Sequence, residues 1–458
     1  MTLRHALASL LLLGAAPSLA AGRVPYGGEL RVAYTAPAEP AEPALADTPT
    51  EATLLGLLSR PACHLTPDGH ASPALAREVS RPSSQVVHLV LPSPAQASAL
   101  TRAWTRLIGP EAASPYRALL YPLRGEGRQL SATGDTLELA LSFPWPDLER
   151  ALCHPALAPP RTVPAALAPF SSAGPNAVEA RLAWTGGRPY VDRLRLTRTD
   201  ERGLSRLWST QEAQVVLGVI PDAGTPSGAA LYATYLAWSP RRVPPDFRQA
   251  VESAIDREDL TRLFVRGPAV PMPHLLPPAL LPQAQAPRPT TPPQPQAGRK
   301  VTLLYDTTSE DQRAVAERLQ VRLHDRGYAV ALEPLPRAEL RARWAKGDYE
   351  LMLHSLLLPP VPGPALAVVL DAAGRKDLLG VELPRIGALP DPAARDTRAR
   401  ERALALALSV PMLPLYAQGL ALRAAPEVGG LTFDAQGLPL LDGAWLQPAA
   451  AGVPGARR

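Results

Sequence analysis

Cysteine, lysine and aromatic side chains are scarce in this chain of 458 residues. Only two cysteines exist, Cys63 and Cys153, so no multi-bridge scaffold and no four-cysteine metal site can be built. Phe, Trp and Tyr make up only 5 % of the residues, which leaves aliphatic side chains and alanine to form the core. Lysine occurs only at Lys300, Lys346 and Lys376, and arginine carries the positive charge. No dense basic stretch alternates with aromatics, and arginines are interleaved with acids, as in Arg400-Glu401-Arg402. That pattern disfavours nucleic acid as a partner and describes a solvated mixed-charge surface. No segment beyond residue 21 has 18 uninterrupted apolar residues, so no membrane-spanning helix is expected. G-x-S-x-G and H-E-x-x-H are missing, and Gly125-Glu126-Gly127 lacks the third glycine of a nucleotide loop. The expectation is a protein without catalysis, cofactor or resident metal.

What is present begins at the amino terminus. Arg4 and His5 precede the apolar run Ala6–Ala16. Pro17 interrupts it, and Ser18-Leu19-Ala20 supplies a small-x-small cleavage pattern. Residues 1–21 therefore read as a secretory signal peptide, cut near Ala20-Ala21. No cysteine stands directly after that point, so nothing suggests a lipid anchor. The formal charge is +5; removing this segment, whose single charged side chain is Arg4, leaves 5 − 1 = +4. Export places Cys63 and Cys153 in an oxidising compartment, where such a pair is usually a disulfide. Two free thiols, or a metal site using Cys63-His64 and Cys153-His154, are the alternatives.

Along the chain, Gly28–Tyr34 alternates polar and apolar residues and predicts a strand, and Thr50–Leu58 a short helix. Val86–Leu91 and Thr136–Phe143 predict two more strands. Pro244–Val265 carries a helical stripe through Phe247, Ala250, Val251, Ala254 and Ile255. Asp256 is placed to cap a following helix that buries Leu260, Leu263 and Phe264. Residues 282–299 are rich in proline and glutamine, with no periodicity, and predict an extended loop. Residues 300–353 then alternate strand and helix. Ser309-Glu310-Asp311-Gln312 reads as a capping box, and Gly327 and Gly347 as helix stops. This order requires a mostly parallel sheet covered by helices, the kind that binds ligands at its strand ends.

Several segments, taken in order, resemble the extracytoplasmic solute-binding proteins of family 5, which serve peptide and nickel ABC importers. Gly27-Gly28-Glu29-Leu30-Arg31-Val32-Ala33 resembles the family's first strand. Pro67-Asp68-Gly69 followed by Pro73-Ala74-Leu75-Ala76 is similar to "dG…PaLA". Ser172-Ala173-Gly174-Pro175 with Gly187-Arg188-Pro189-Tyr190-Val191-Asp192-Arg193-Leu194 is similar to "GtGPy … GrPYlDri". Pro245-Asp246-Phe247-Arg248-Gln249-Ala250, running to Ala254-Ile255-Asp256-Arg257, is similar to "vRqA…AiDR". Pro411-Met412-Leu413-Pro414-Leu415-Tyr416 matches "p.lPLy".

The resemblance spans about residues 26–448. It implies an α/β, two-lobe periplasmic-binding-protein fold (type II, cluster C-like), with mixed sheets and a hinge. Residues 22–222 would form lobe I with a shortened extra subdomain, 223–418 lobe II, and 419–458 the return to lobe I and the tail. It further implies a periplasmic monomer that captures a peptide-like or other small solute and delivers it to an inner-membrane ABC permease.

Two departures bear on the ligand. Leu91-Pro92-Ser93-Pro94-Ala95-Gln96 replaces a segment rich in charged and aromatic residues, which predicts the shortened subdomain. His354–Pro364 carries no acid where peptide-binding members place the aspartate that holds the peptide amino terminus. Losing such a partner costs about 2–5 kcal/mol of binding, so an uncharged or more apolar ligand becomes plausible. A degenerate homologue acting as scaffold or sensor partner, without a tight small ligand, is the alternative.

The candidate ligand contacts are Tyr34, Trp238, Ser239, His354, Ser355 and Tyr416. Tyr34 follows the first strand, where the cleft would open, with plain packing as its other role. Trp238, in Ala237-Trp238-Ser239, would form an apolar wall or belong to the core. His354 and Ser355 stand where the family has an aromatic residue, and Tyr416 packs by the hinge.

Overall fold

Glu29–Tyr34 is the third strand of a six-stranded sheet whose order is Leu422–Ala424, Val215–Leu217, Glu29–Tyr34, Arg193–Arg198, Ala177–Ala180, Phe170–Ser172. It pairs in parallel with both neighbours, Leu30 opposite Leu194 and Val32 opposite Val215. Its inward residues Leu30 and Val32 join Leu194, Leu196 and Phe170 in the core of this first lobe. The computed structural model describes residues 24–35, 42–66, 68–109, 111–123, 129–160, 168–184, 186–218, 226–243, 247–282 and 299–447. The expected signal peptide (1–21), nearly all of the 282–299 loop, the lobe boundary at 222 and Gly125-Glu126-Gly127 lie outside them.

A second six-stranded sheet runs Ala269–Pro271, Met412–Gln418, Tyr232–Trp238, Leu351–Leu357, Arg299–Asp306, Tyr328–Leu335. The last three strands are parallel, joined by helices Glu310–His324 and Arg337–Lys346, as their alternating order requires. Tyr232–Trp238 runs antiparallel to both of its neighbours. The sheet is therefore mixed, and it forms the second lobe.

The chain leaves the first sheet after Leu217 and returns to it at Leu422. The two crossing segments touch through a Ser227–Ala421 bridge and a bond from Gly228 N to Leu420 O at 3.2 Å. Their backbones lie so close that a Cβ on Gly419 would stand 2.3 Å from Gly228 O, and one on Gly228 would stand 2.0 Å from Gly437 O. Only glycine fits at these two positions.

The first lobe also carries a four-stranded antiparallel sheet, ordered Glu78–Ser83, Val86–Val90, Thr136–Ala140, Leu130–Thr133. In Leu91–Gln96, Ser93 caps helix Pro94–Ile108, its Oγ accepting from Gln96 N at 3.4 Å. That helix packs Leu100 and Trp104 into the core.

The largest apolar core crosses between the lobes. It unites Leu89, Trp104, Leu119 and Trp145 with Leu356, Leu366, Val369 and Ile386. Its axis is helix Pro362–Ala372, every residue of which is buried. Charge pairs flank it: Arg117 Nε to Asp371 Oδ2 at 2.7 Å, and Arg395 Nε to Asp147 Oδ1 at 3.0 Å.

Two local expectations need correction. Ser309 does accept from Gln312 N, at 3.2 Å, but Gln312 does not return the bond: its Oε1 accepts from Asp306 N at 2.9 Å. The buried end of strand Arg299–Asp306 has taken it. In helix Arg257–Phe264, Leu260 is buried and Phe264 half-buried, whereas Leu263 is 60 % exposed. Leu260 and Phe264 are four residues apart on one line, and Leu263 lies about 100° around the helix from Phe264. Asp256 does cap that helix, its Oδ1 accepting from Glu258 N and Asp259 N at 3.0 Å each.

Candidate functional site: the interlobe cleft

Helix Pro49–Leu58 of the first lobe points its amino terminus at the second lobe. Its start is fixed by Pro49 and by a complete capping box. Thr48 Oγ1 accepts from Glu51 N, and Glu51 Oε2 accepts from the backbone of Thr48, each at 3.2 Å. The same Glu51 Oε2 receives Arg337 Nη1 from the second lobe at 2.9 Å.

Arg337 opens helix Arg337–Lys346 at the carboxyl end of strand Tyr328–Leu335. Its Nε donates to Asp306 Oδ2 at 2.9 Å, at the end of the neighbouring strand. One turn on, Arg341 Nη1 donates to Asp47 Oδ2 at 2.6 Å and to Leu45 O at 3.1 Å. Two arginines at i, i+4 thus share one helix face, and that face grips the first lobe. Burial opposes charge on Arg337, yet the facing Glu51, Tyr232, Asp306 and Asp47 hold its guanidinium more firmly protonated than usual. Burial raises the carboxyls of Asp47 and Glu51, with the arginines pulling them back down.

Behind this ion-pair layer lies a polar relay. Ser355 Oγ lies 2.8 Å from Thr234 Oγ1 and accepts from Gln312 Nε2 at 2.9 Å. His354 sits beside it, its ring 5.4 Å from that of Trp344. Trp344 is itself fixed by a bond from Nε1 to Ala372 O at 2.7 Å and by the Arg117 guanidinium over its ring. His354 Nδ1 is shut off from solvent and has no hydrogen-bond partner. Burial lowers the imidazole to about 4, so the ring is neutral. The space these side chains leave is about 40 Å³, walled by Asp47, Tyr232, Arg337, Trp344, His354 and Ser355 among others. A single water needs at least about 10–15 Å³ measured this way, so in this closed form the cleft has room for a few waters.

Of the residues singled out from sequence, only His354 and Ser355 line this space. Tyr416 is 1 % exposed and lies directly behind the wall, paired with Thr234 across the strands. Tyr34 is buried in the first-lobe core. Trp238 belongs to the second-lobe core, against Phe247 at 6.3 Å and under Arg248. It ends the strand that Tyr232 begins, about 20 Å away at the usual rise. Ser239 is buried next to it and gives its backbone N–H to Glu350 O. Of the two roles open to Trp238, wall or core, it takes the core.

Asp47, Glu51, Asp306, Arg337, Arg341 and Trp344 escaped the sequence reading. Thr48-Pro49-Thr50-Glu51 was a legible capping signal; its second use, by an arginine 286 residues away, was not.

Cys63 and Cys153 are joined in a disulfide, Cα to Cα 4.5 Å. The imidazole of His154 bonds Leu357 O at 3.0 Å through Nε2 and accepts from Ala156 N at 3.2 Å through Nδ1. Its two ring nitrogens are thus committed within the chain. Among the described residues no group of three or more His, Cys, Asp or Glu is placed to hold a metal ion, and no helix is long and apolar enough to cross a membrane.

No protein-family model matches the chain, and no curated protein matches it. Solved structures do. The ABC transporter-associated periplasmic binding protein DppA from Helicobacter pylori, in complex with the peptide STSA, superposes with a TM-score of 0.75 at 16 % identity, over 93 % of this chain and 99 % of that one. The PBP AgaA from A. tumefacien R10, in complex with agropinic acid, gives 0.72 at 17 % identity, over 92 % and 99 %. NikA from Staphylococcus aureus, in complex with Ni(L-His)2, gives 0.71 at 12 % identity, over 92 % and 100 %. The chain thus has the two-lobe α/β fold of periplasmic binding proteins over nearly its whole length.

Proposed function

We propose that this chain is an extracytoplasmic solute-binding protein that closes its two lobes on a small, hydrogen-bonding solute and presents it to an ABC permease. The observation that carries the reading is the polar space between the lobes, lined by Tyr232, His354 and Ser355 and closed by the ion pairs Arg337–Glu51 and Arg341–Asp47 that cross from one lobe to the other. A solute with hydrogen-bonding groups placed there would meet polar side chains on its walls. Closure would then act as a population shift toward the gripped form. Capture at micromolar concentration needs about 8 kcal/mol, which binding alone supplies without chemistry on the solute. The fold shared with DppA, AgaA and NikA supports the reading. So does the amino-terminal segment Met1–Ala21, which on this reading directs export to the periplasm.

Leu357, Leu358 and Val361, in the stretch without an acid, are buried apolar residues, so no carboxylate from this stretch holds a peptide amino terminus, and the reading favours a small polar solute. Native mass spectrometry of protein released gently from the periplasm tests this. The expected result is a bound small molecule that is lost from His354→Phe. Protein carrying no small molecule, unchanged in mass after exposure to a panel of amino acids, sugars and small polar solutes, would overturn it.

One observation favours a second reading, a homologue that no longer opens and acts as a scaffold. Helix Pro362–Ala372 is buried on all sides in the core shared by both lobes, and separating them there would expose it to water. Interlobe distances in solution distinguish the two readings.

A further inference from the structure

A second hollow, of about 760 Å³, lies wholly within the first lobe. It shares no lining residue with the interlobe cleft, and its volume falls in the range of small-molecule pockets, about 300–1,000 Å³. Three elements enclose it: the carboxyl-terminal half of helix Pro49–Leu58, the hairpin Cys63–Leu65 with Ala71–Pro73, and the segment 432–442. The Cys63–Cys153 disulfide forms part of the wall and ties the hairpin down.

The apolar lining comes from Leu55, Leu57, Leu65, Phe433 and Leu440, with Trp184 on one side. Its charged residues are already partnered within the chain. Arg60 Nη2 donates to Asp442 Oδ2 at 2.7 Å. Asp434 Oδ1 accepts from Gln436 N at 2.9 Å and Leu438 N at 2.8 Å. Burial, then the charge of Arg60, keeps the His64 imidazole below its usual value. An anionic ligand would find no free cation here, since Arg60 is held by Asp442, and burial already disfavours charge on Asp434, so the chemistry favours a neutral guest.

Gly56 is the second observation. It sits inside helix Pro49–Leu58, where glycine is the least favoured residue after proline. A Cβ built there meets no atom within 4 Å. No turn, positive φ or close neighbour calls for glycine at this position. What it does is leave open space facing the hollow it lines.

We infer that this hollow is a binding site for a neutral, largely apolar organic molecule of drug-like size, separate from the interlobe site. The test is a fluorescence titration of the full chain with N-phenyl-1-naphthylamine, an uncharged apolar probe. Saturable one-to-one binding is expected. Gly56→Phe, which fills the space, and Thr432→Trp, which narrows the exposed rim, should each weaken it at least tenfold. Val321→Ser, on the exposed face of helix Glu310–His324 in the second lobe, should stay within twofold of wild type, and Gly56→Ala controls for the helix itself. Loss in either filling variant with retention in Val321→Ser supports the site. Absence of saturable binding, wild-type affinity in both filling variants, or an equal loss in Val321→Ser overturns it. Native mass spectrometry with the same probe reads stoichiometry without relying on fluorescence.

Discussion

Two hollows among the described residues differ in volume by more than an order of magnitude, about 40 Å³ between the lobes and about 760 Å³ inside the first. They differ as much in how their walls are made. The interlobe cleft is closed by charges contributed from opposite lobes, Arg337 to Glu51 and Arg341 to Asp47, so its shape depends on where the lobes sit. The first-lobe hollow is held by elements of one lobe and stapled by the disulfide, so its shape is built in. Helix Pro49–Leu58 serves both, with Glu51 in its first turn and Gly56 in its last. A site that must open has walls that satisfy each other when empty; a site that stays formed has walls satisfied on their own side.

The largest effect that would break this contrast is expected at Arg337. Arg337→Met leaves Glu51 and Asp306 buried without their cation, a loss of about 3–5 kcal/mol, read as a shift in urea midpoint. Adding Glu51→Gln and Asp306→Asn should recover a good part of it, because the uncompensated charges are then gone. A small loss in the single variant would mean that the cleft charges do not hold the lobes.

Next come two pH effects of opposite sign. His154 joins the first lobe to strand Leu351–Leu357, and burial lowers its imidazole from 6.5 to about 4. The unfolded chain therefore takes up the proton first. The stability is complete above about pH 6.5 and fades as pH falls through 4, by about 3 kcal/mol for such a shift. His154→Gln, which keeps a donor to Leu357 O, should flatten that acid limb in melts taken from pH 7 to 4.

Asp434, in the wall of the large hollow, moves the other way. Burial raises its carboxyl from 3.8 to about 6. Its contribution is present below the unfolded value and is lost as pH rises through 6. Asp434→Asn keeps an acceptor for Gln436 N and Leu438 N, and should stabilise the protein at pH 7.5 by about 2 kcal/mol relative to its effect at pH 4. Gly56→Ala is the smallest change. With open space around the new methyl group, it should stabilise the helix by about 0.5–1 kcal/mol, measured by thermal melting.

The periodic elements were legible in the sequence because their cause is local. Alternation in Gly28–Tyr34 and the parallel order of residues 300–353 follow from the two-residue period and from crossover chirality. His354 and Ser355 lie in the middle of strand Leu351–Leu357, opposite Tyr235 and Thr234, and both line the cleft. Trp238 carried two readings, ligand wall or core, because aromatic character looks the same from sequence in either place. The arginines that close the cleft were hidden among 47 lysines and arginines. Nothing in the spacing of Arg337 and Arg341 says that their partners are Glu51 and Asp47, nearly 300 residues earlier. The first-lobe hollow was out of reach altogether, since it is made by three segments that meet only in the folded chain.

On this reading the lobes form a grip, with Arg337 as its latch. Both cysteines are in the disulfide, so spin labels can be placed on new cysteines at Leu182 in the first lobe and Val321 in the second, which are 74 % and 54 % exposed. Double electron–electron resonance between them then reads the interlobe distance. The account predicts one narrow, short distance in the latched protein and an added longer population in Arg337→Met. A distribution left unchanged by that substitution would show the lobes fused through helix Pro362–Ala372 and would contradict the grip.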